Sequence, residues 1–363
     1  MLSINQLLTL SRTYNVPLED VLFIALNSNG VKFQCEFNRM RTALHLTNHS
    51  LFEYARHQND MNYYFALPIN QQSAFVIVHD TLLLGDVVIG KVSDATGDVC
   101  NSHYPRRNGT ALNINPNSRT SCHGCEFCYT TYQVPCDRKK LKNETDLREF
   151  FGSWMNEYHL TDLSHLIQIS VVTGCYDSGN DLCRFLHTLK KVAAEYHFNG
   201  KISYLGSQIA TKEELDNLAD LKPFCVCYSM ETFERRDLLR DKKRALSVQN
   251  ICDLMEHSIG ANYETSFSYI VGLEPLAIME KYFGYLWKHV NKFPIVNILQ
   301  IHKYQKVGLL NPEAMNLEYY IKTRKLIESI FLGTSMRPLV WEDYRSLWYL
   351  RFGSEPLLGI RTP

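Results

Sequence analysis

The feature that most constrains the fold is a regular alternation of strand-like and helix-like segments that begins near residue 111. The strand-like segments are apolar and rich in β-branched residues, as expected for strands covered on both faces; they are 111–115, 166–173, 201–206, 224–230, 265–272 and 295–302. Helical periodicity follows each of them, at about 144–158, 181–197, 211–221, 247–260, 276–292 and 317–331. Such alternation predicts a parallel sheet with right-handed crossovers. Six units fall short of the eight in a closed barrel, so we expect an α/β fold with an open, partial (β/α)6 barrel.

Two of the helices carry clear end signals. Thr211 and Glu214 stand in the register of a capping box, which marks the start of the helix over 211–221. Ser247 is the predicted N-cap of the next helix, and Gly260 is its predicted C′ residue. Because the chemistry of such sheets collects where the strands end, the loops that follow the strands are the places to search for functional residues.

The chain on either side of this alternation has a different pattern. Residues 1–110 contain helix candidates near 3–13 and 17–27 and a strand-rich stretch over 73–94, which predicts an N-terminal α+β accessory region. Residues 332–363 are rich in aromatic side chains and form a predicted C-terminal capping segment. The expected domains are therefore 1–110, a (β/α)6 core over 111–331, and 332–363.

Charge and cysteine content limit the function classes. The chain has 38 basic and 38 acidic residues, so nothing indicates a nucleic-acid-binding surface. No signal peptide or membrane-length apolar run is visible, which predicts a cytoplasmic protein that does not bind membranes. Eleven cysteines are an odd number in a long chain, and clustered cysteines in a reducing compartment indicate metal binding or catalysis.

Three cysteines lie within seven positions after the first strand: Cys122, Cys125 and Cys128. One interpretation is a zinc site completed by Cys136 or His123, although structural zinc sites usually combine two cysteine pairs, or one pair with histidines. The other is a [4Fe–4S] cluster, in which three thiolates leave one iron open to a further ligand. On spacing alone, both interpretations stay open. By contrast, Cys175, Cys225 and Cys227 are predicted to be small core residues.

The order of a strand, the motif C-x-x-C-x-F-C-Y and five further β/α units resembles the radical S-adenosylmethionine (SAM) superfamily over about residues 111–330. This resemblance implies that Cys122, Cys125 and Cys128 bind a [4Fe–4S] cluster whose open iron chelates SAM, and that Phe127 lies near the adenine. The usual family spacing has three residues between the first two cysteines. This chain has two, and Ser121 stands where the usual spacing would put the first thiol.

The resemblance also implies a SAM site built from the ends of later strands. Thr173 and Gly174 match the turn that meets the methionine amino group, with Asp177 as a further acceptor. Ser229 and Glu231 match the ribose-binding positions. Arg240 is the expected partner of the methionine carboxylate, because guanidinium binds carboxylates through two hydrogen bonds, and Arg235 and Arg244 are substitutes. Ile270 matches an adenine-supporting position, and His302 is a candidate proton donor.

The expected activity is reductive cleavage of SAM to a 5′-deoxyadenosyl radical that abstracts hydrogen from a substrate. The sixth strand resembles the small-molecule branch that includes biotin synthase, so we expect a small-molecule substrate and an external electron donor of the flavodoxin or ferredoxin type. Two alternatives stay open. One is a non-enzymatic zinc-binding module, and the other is an enzyme that transfers the methyl or aminocarboxypropyl group of SAM.

Overall fold

The computed structural model describes residues 2–36, 38–53, 62–98, 103–116, 125–128, 141, 143–172, 176, 178–301, 308–342 and 345–357. Their contacts form two compact units. The first unit contains the described residues up to Asp98, then Tyr269–Trp287 and those from Ile295 onward. The second contains the described residues from His103 to Ser268, together with Lys288–Pro294. This grouping differs from the predicted boundaries at 110 and 331, which stay a prediction.

A seven-stranded sheet contains all six predicted strands and one more. Its strands are β6 (His103–Arg106), β7 (Ala111–Ile114), β8 (Gln168–Val171), β9 (Lys201–Gly206), β10 (Phe224–Glu231), β11 (Glu264–Val271) and β12 (Ile295–Ile298), adjacent in that order. Strands β7 to β10 are parallel, whereas β6 pairs with β7 in the antiparallel direction. Since β6 and β12 lie at the two edges, the sheet is open. The predicted α/β class and partial (β/α)6 arrangement are confirmed.

The helices of the alternation follow the predicted order. They are α3 (Glu144–Glu157), α4 (Gly179–Glu195), α5 (Lys212–Asp216), α7 (Val248–Gly260), α8 (Leu276–Leu286) and α9 (Leu317–Phe331), with the short α6 (Asp241–Arg244) after β10. The capping box of Thr211 and Glu214 is present, and Ser247 caps α7. No helix in the described part of the chain has both the length and the apolar character needed to cross a membrane.

Two helix ends differ from the prediction. The segment over 211–221 is helical only to Asp216 and continues as a 3-10 turn at Ala219–Leu221, just before Pro223, which disfavours helical backbone in the residue ahead of it. Gly260 is the last residue of α7 rather than its C′ residue. The left-handed backbone lies at Asn262, with φ of 60°, which asparagine tolerates better than most residues.

The first unit contains the predicted antiparallel strands and two helices. Helices α1 (Ile4–Tyr14) and α2 (Leu18–Asn29) precede a five-stranded sheet of β1 (Arg39–Leu46), β2 (Asn62–Pro68), β3 (Phe75–Val78), β4 (Thr81–Leu84) and β5 (Val87–Gly97), in the order β2-β1-β5-β4-β3. The pairings of β1 with β2 and β5, and of β4 with β3 and β5, are all antiparallel. Helix α9 and the short hairpin of β13 (Arg351–Phe352) and β14 (Glu355–Pro356) belong to the same unit.

A buried ion cluster holds the first unit together. Arg324 of α9 pairs with Asp20 of α2 at 2.7 Å and with Glu328 at 2.8 Å, and all three side chains are almost fully buried. The guanidinium also donates to the carbonyl of Leu347, and Asp20 accepts the backbone N–H of Tyr349. Because the two carboxylates and the backbone together satisfy the guanidinium, the cluster fixes α2, α9 and the C-terminal segment in one arrangement.

The substitution Arg324→Met should lower the free energy of unfolding by about 3–5 kcal/mol, because it leaves the buried Asp20 carboxylate without its cation, while Glu328 keeps its ion pair with Lys325. Chemical denaturation followed by circular dichroism measures this change. The matched control is Asp80→Asn, which breaks the exposed pair of Asp80 and Lys91 and should leave the denaturation midpoint nearly unchanged. Equal effects of the two substitutions would contradict this account of the cluster.

Candidate functional site

The described part of the cysteine motif forms a tight turn at the carboxyl end of the sheet. The N–H of Cys128 donates to the carbonyl of Cys125 at 3.1 Å, which closes the turn. The N–H of Glu126 donates to the carbonyl of Leu238 at 3.0 Å, in the segment that follows β10. Cys125 and Phe127 are buried, and Cys128 is half-buried. The turn is therefore attached to the chain just beyond the end of a central strand.

The Cys125 thiol lies in a charged environment. Burial raises its pKa to about 11, while the nearby Lys243 ammonium and a hydrogen bond from the Arg240 backbone act in the opposite direction. Glu231 and Cys128 raise the pKa further. The thiol is thus protonated at neutral pH, and a metal that binds here must displace this proton.

An ion pair of Glu231 and Lys243 stands beside this thiol. Their charged groups are 2.6 Å apart, and only 15% of the glutamate and 11% of the lysine side chain are exposed. Glu231 is the last residue of β10 and has a left-handed backbone, with φ of 64°. Its Oε1 accepts from Lys243, whereas its Oε2 is buried without a hydrogen-bond partner in the described part of the chain. One carboxylate oxygen is therefore fixed and the other is left to accept from a ligand.

Arg236 shapes the segment that carries these groups. Its guanidinium donates to four backbone carbonyls: those of Met230, Thr232, Lys243 and Leu246, at 2.5–3.0 Å. Met230 lies in β10 and Thr232 directly after it, whereas Lys243 lies in α6 and Leu246 shortly after that helix. Because a guanidinium presents its donors in a rigid fork, this single side chain holds the start and the end of the loop together.

A lysine of the same loop reaches the turn after β8. Lys242 Nζ donates to the carbonyl of Tyr176 at 3.1 Å, within the stretch where the sequence predicts a cofactor-binding turn. Gly179, the first residue of α4, lies so close to the backbone after β9 that a Cβ would stand 2.7 Å from the carbonyl oxygen of Gln208. Close packing at this position therefore requires glycine, and segments after β8, β9 and β10 meet at the carboxyl ends of the strands.

The predicted site residues fall into three groups. The structure brings together Cys125, Phe127, Cys128, Glu231 and Arg240, and places Ser229 on β10 two residues before Glu231. Ile270 is half-buried on β11, in the first unit. The remaining predicted residues lie outside the described residues: Cys122, Thr173, Gly174, Asp177 and His302. Their roles stay predictions.

Sequence analysis missed Lys243 and Arg236. Lys243 lies in a run of charged residues, 240–244, of the kind that usually forms a solvated helix end, and Arg236 is one of two adjacent arginines. Each acts through a partner that is distant along the chain, twelve residues away for Lys243. The only signal in the sequence is that the acidic Glu231, at the end of a strand, is followed by the charged run 240–244, and this signal is weak.

The residues present fit an iron–sulfur site in part. Among the described residues no cluster of three metal-ligating side chains occurs, since only two cysteines of the motif belong to that part of the chain. Those two lie in one turn, and the Lys243 ammonium beside Cys125 partly offsets the effect of burial on the pKa of that thiol. The free oxygen of Glu231 adds a buried acceptor at the same place. The donor set is thus compatible with a cluster and with a polar ligand beside it.

Comparisons with known proteins give distant similarities only. No protein-family model matches the chain, and no curated protein matches it. Among solved structures it is similar to Streptococcus suis SuiB bound to S-adenosylmethionine, at 11% identity and a TM-score of 0.37, over 55% of this chain and 42% of SuiB. It is also similar to anSMEcpe with bound AdoMet, at 17% identity and a TM-score of 0.43, over 61% of each chain.

A third similarity is to active domain 2 of a Pyrococcus furiosus chitinase, at 10% identity and a TM-score of 0.31, over 54% of this chain and 69% of that one. The chain spans about two fifths of the length of SuiB. TM-scores in this range do not distinguish among these proteins.

The substitution Arg236→Lys should loosen the loop from Glu231 to Leu246, because one ammonium cannot reach all four carbonyls. We expect amide hydrogen exchange at Lys243 and Arg244 to become at least about tenfold faster, in keeping with the loss of two or more hydrogen bonds. Mass-spectrometric exchange on peptides over 231–246 measures this rate. The control Arg244→Lys alters an exposed arginine. A loop that exchanges at the same rate in both variants would show that Arg236 does not hold it.

Proposed function

We propose that this protein is a radical SAM enzyme that cleaves SAM reductively. The observation that carries the proposal is the position of the cysteine turn, next to a buried carboxylate with one free oxygen at the carboxyl end of a parallel sheet. In this fold class, ligands bind at that end of the strands. The turn carries two free thiols, those of Cys125 and Cys128, and the Glu231 carboxylate lies beside it. Such a set of groups suits a metal centre that has an organic ligand next to it.

Cys122, Cys125 and Cys128 would hold a [4Fe–4S] cluster through three thiolates. When bound, this group supplies an electron to the SAM sulfonium, which yields methionine and a 5′-deoxyadenosyl radical. The protein contributes the surroundings of the thiols. The Arg240 backbone N–H donates to the Cys125 sulfur, and the Lys243 ammonium stabilises negative charge on it. Burial of Cys125 and Phe127 excludes water from this side of the turn.

Glu231 is the proposed acceptor for the ribose hydroxyls of SAM. Lys243 fixes Oε1 of its carboxylate, so Oε2 is held in one position before the ligand binds. An acceptor oriented in advance loses little entropy when it forms its hydrogen bond. Ser229, two residues earlier on the same strand, would bind alongside it. Arg240 is the proposed partner of the methionine carboxylate, since its backbone already lies against the turn.

The other members of the proposed SAM site rest on the family resemblance. Phe127 and Ile270 would contact the adenine, and Thr173, Gly174 and Asp177 would bind the methionine amino group. His302 is the proposed proton donor to the substrate. We also propose a small-molecule substrate, an external electron donor of the flavodoxin or ferredoxin type, and a cytoplasmic location.

Loss of any cluster ligand should abolish both iron binding and SAM cleavage. After anaerobic reconstitution, the wild-type protein should carry about four irons per chain and produce 5′-deoxyadenosine with dithionite. The variants Cys122→Ala, Cys125→Ala and Cys128→Ala should lose the iron and form only background product. Cys183→Ala, which removes a buried cysteine of α4, is the matched control and should retain both.

Three outcomes would contradict the proposal. A colourless protein that binds one zinc would indicate a zinc module, and methylthioadenosine in place of 5′-deoxyadenosine would indicate transfer of the aminocarboxypropyl group. Retention of activity in Cys122→Ala would mean that the first ligand is assigned wrongly.

The substitution Glu231→Gln should weaken SAM binding about tenfold, because a neutral amide is a poorer acceptor for the ribose hydroxyls and loses the pairing with Lys243. Equilibrium binding of SAM to the reconstituted protein measures this change. Glu234→Gln removes an exposed carboxylate of the same loop and should leave the affinity unchanged. If both variants bind SAM as the wild type does, Glu231 is not the ribose acceptor.

A further inference from the structure

The two faces of the seven-stranded sheet differ in chemistry. Successive residues of a strand point to opposite faces, and residues in register on parallel neighbours share a face. Tyr228 of β10 lies on the face covered by helices. Burial raises the pKa of its hydroxyl, and Ser258 of α7 and Glu214 of α5 lie close enough to influence that pKa. The neighbours Cys227 and Ser229 therefore lie on the opposite face.

Register extends this second face across the sheet. Cys225 of β10 is aligned with Ser203 of β9, Ser203 with Ser170 of β8, and Ser170 with Asn113 of β7. On β11, the ring of Tyr269 packs against Phe283 of α8, so Ser268 points away from the helices. We call Asn113, Ser170, Ser203, Ser229 and Ser268 the serine face. It places one small polar side chain on each of five adjacent strands.

Burial separates the serine face from the helix-covered face. Ile169, Ile202, Val226 and Tyr228, which face the helices, are 0–2% exposed. Ser170, Ser203, Ser229 and Ser268 keep 6–8% of their surface exposed. A sheet face packed against another apolar layer would carry large apolar side chains without residual exposure. The serine face instead carries short polar groups with a small residual exposure, although Cys225 and Ser266 on the same side are almost fully buried.

The hydrogen-bonding groups of this face are partly unsatisfied. Gln168 Nε2 donates to Ser170 Oγ at 2.8 Å, which leaves the Ser170 hydroxyl hydrogen to donate elsewhere. Ser268 Oγ is buried without a partner among the described residues, as is Oγ of Ser266 on the same side of β11. A buried hydroxyl without a partner destabilises a protein by about 1–3 kcal/mol. A ligand that offers its own donors and acceptors would remove this cost.

We propose that Asn113, Ser170, Ser203 and Ser268 of the serine face bind the substrate, with Ser229 at the border with the proposed SAM site, and that the substrate is a neutral, polyhydroxylated small molecule such as a sugar or a nucleoside. Serine and asparagine side chains both donate and accept, which matches an array of ligand hydroxyls. Glu231 and Lys243, at the carboxyl end of β10, neutralise each other, and Lys292 Nζ lies 4.0 Å from Cys225 Sγ near the start of that strand. An apolar substrate would leave the serine hydroxyls unpaired, and an ionic one would find no charged side chain among the five residues of the serine face.

The position of the face agrees with this role and rests on the proposed function. Ser229 precedes Glu231 by two residues, which is about 7 Å along a strand. A molecule bound over the serine face would thus lie next to the proposed SAM site. Along β10, it would lie on the N-terminal side of Glu231. The hydrogen to be abstracted would belong to a carbon that bears, or neighbours, a hydroxyl group.

The test is ligand binding to the reconstituted protein saturated with SAM, so that the nucleoside probes do not occupy the SAM site. Thermal-shift titrations use two sugars, D-ribose and D-glucose, and two nucleosides, uridine and cytidine. Indole is the apolar probe and hexanoate is the anionic one. We expect a rise in melting temperature with at least one hydroxylated probe. The double variant Ser170→Ala/Ser203→Ala should bind that probe about tenfold more weakly, as the loss of two hydrogen bonds implies.

The control is Ser258→Ala, which removes a buried serine on α7 and should bind the probe as the wild type does. Iron content and 5′-deoxyadenosine formation without substrate are measured on the same samples, and their loss would count against the proposed function instead. No shift with any hydroxylated probe, a shift with hexanoate or indole alone, or equal affinity in the double variant would each overturn the proposal for the serine face.

Discussion

The candidate site depends on the four hydrogen bonds that Arg236 donates to backbone carbonyls. Those bonds join the end of β10 to the region of α6, so they determine where Glu231 and Lys243 stand. The loop held in this way also accepts the cysteine turn, through the carbonyl of Leu238 and the backbone of Arg240. One half-buried cation thereby sets the relation between thiols and carboxylate. The chemistry of the site is local, but its geometry comes from the loop.

Much of the fold could be predicted because parallel strands covered on both sides leave a clear signal. The strand Lys201–Gly206 and the helix Leu317–Phe331 match the predicted bounds, since apolar runs and capping residues mark their ends. Strand β6 could not be found, because its four residues include a proline and no apolar run. The early end of α5 was also missed, since apolar periodicity continues through the 3-10 turn at Ala219–Leu221, ahead of Pro223.

The candidate site was predictable only as far as its chemistry lies in short motifs. The spacing of the cysteines, and the polar residues at the end of the fourth predicted strand, were visible in the sequence. The ion pair of Glu231 and Lys243 was not, because it joins a strand end to a short helix twelve residues away. The serine face was hidden for another reason. Gln168 and Ser170 alternate with apolar residues in a run that also suits a strand buried on both sides, and only register across several strands reveals their common face.

Strand β6 has a consequence for how the protein behaves in concentrated solution. It occupies one edge of the large sheet, where unpaired backbone groups can recruit a strand from another molecule. Pro105 lies in this strand and has no N–H to donate, so the edge is interrupted within its four residues. A short, proline-containing border strand therefore caps the parallel core and discourages edge-to-edge aggregation. The same residue that concealed β6 from sequence analysis thereby protects the sheet.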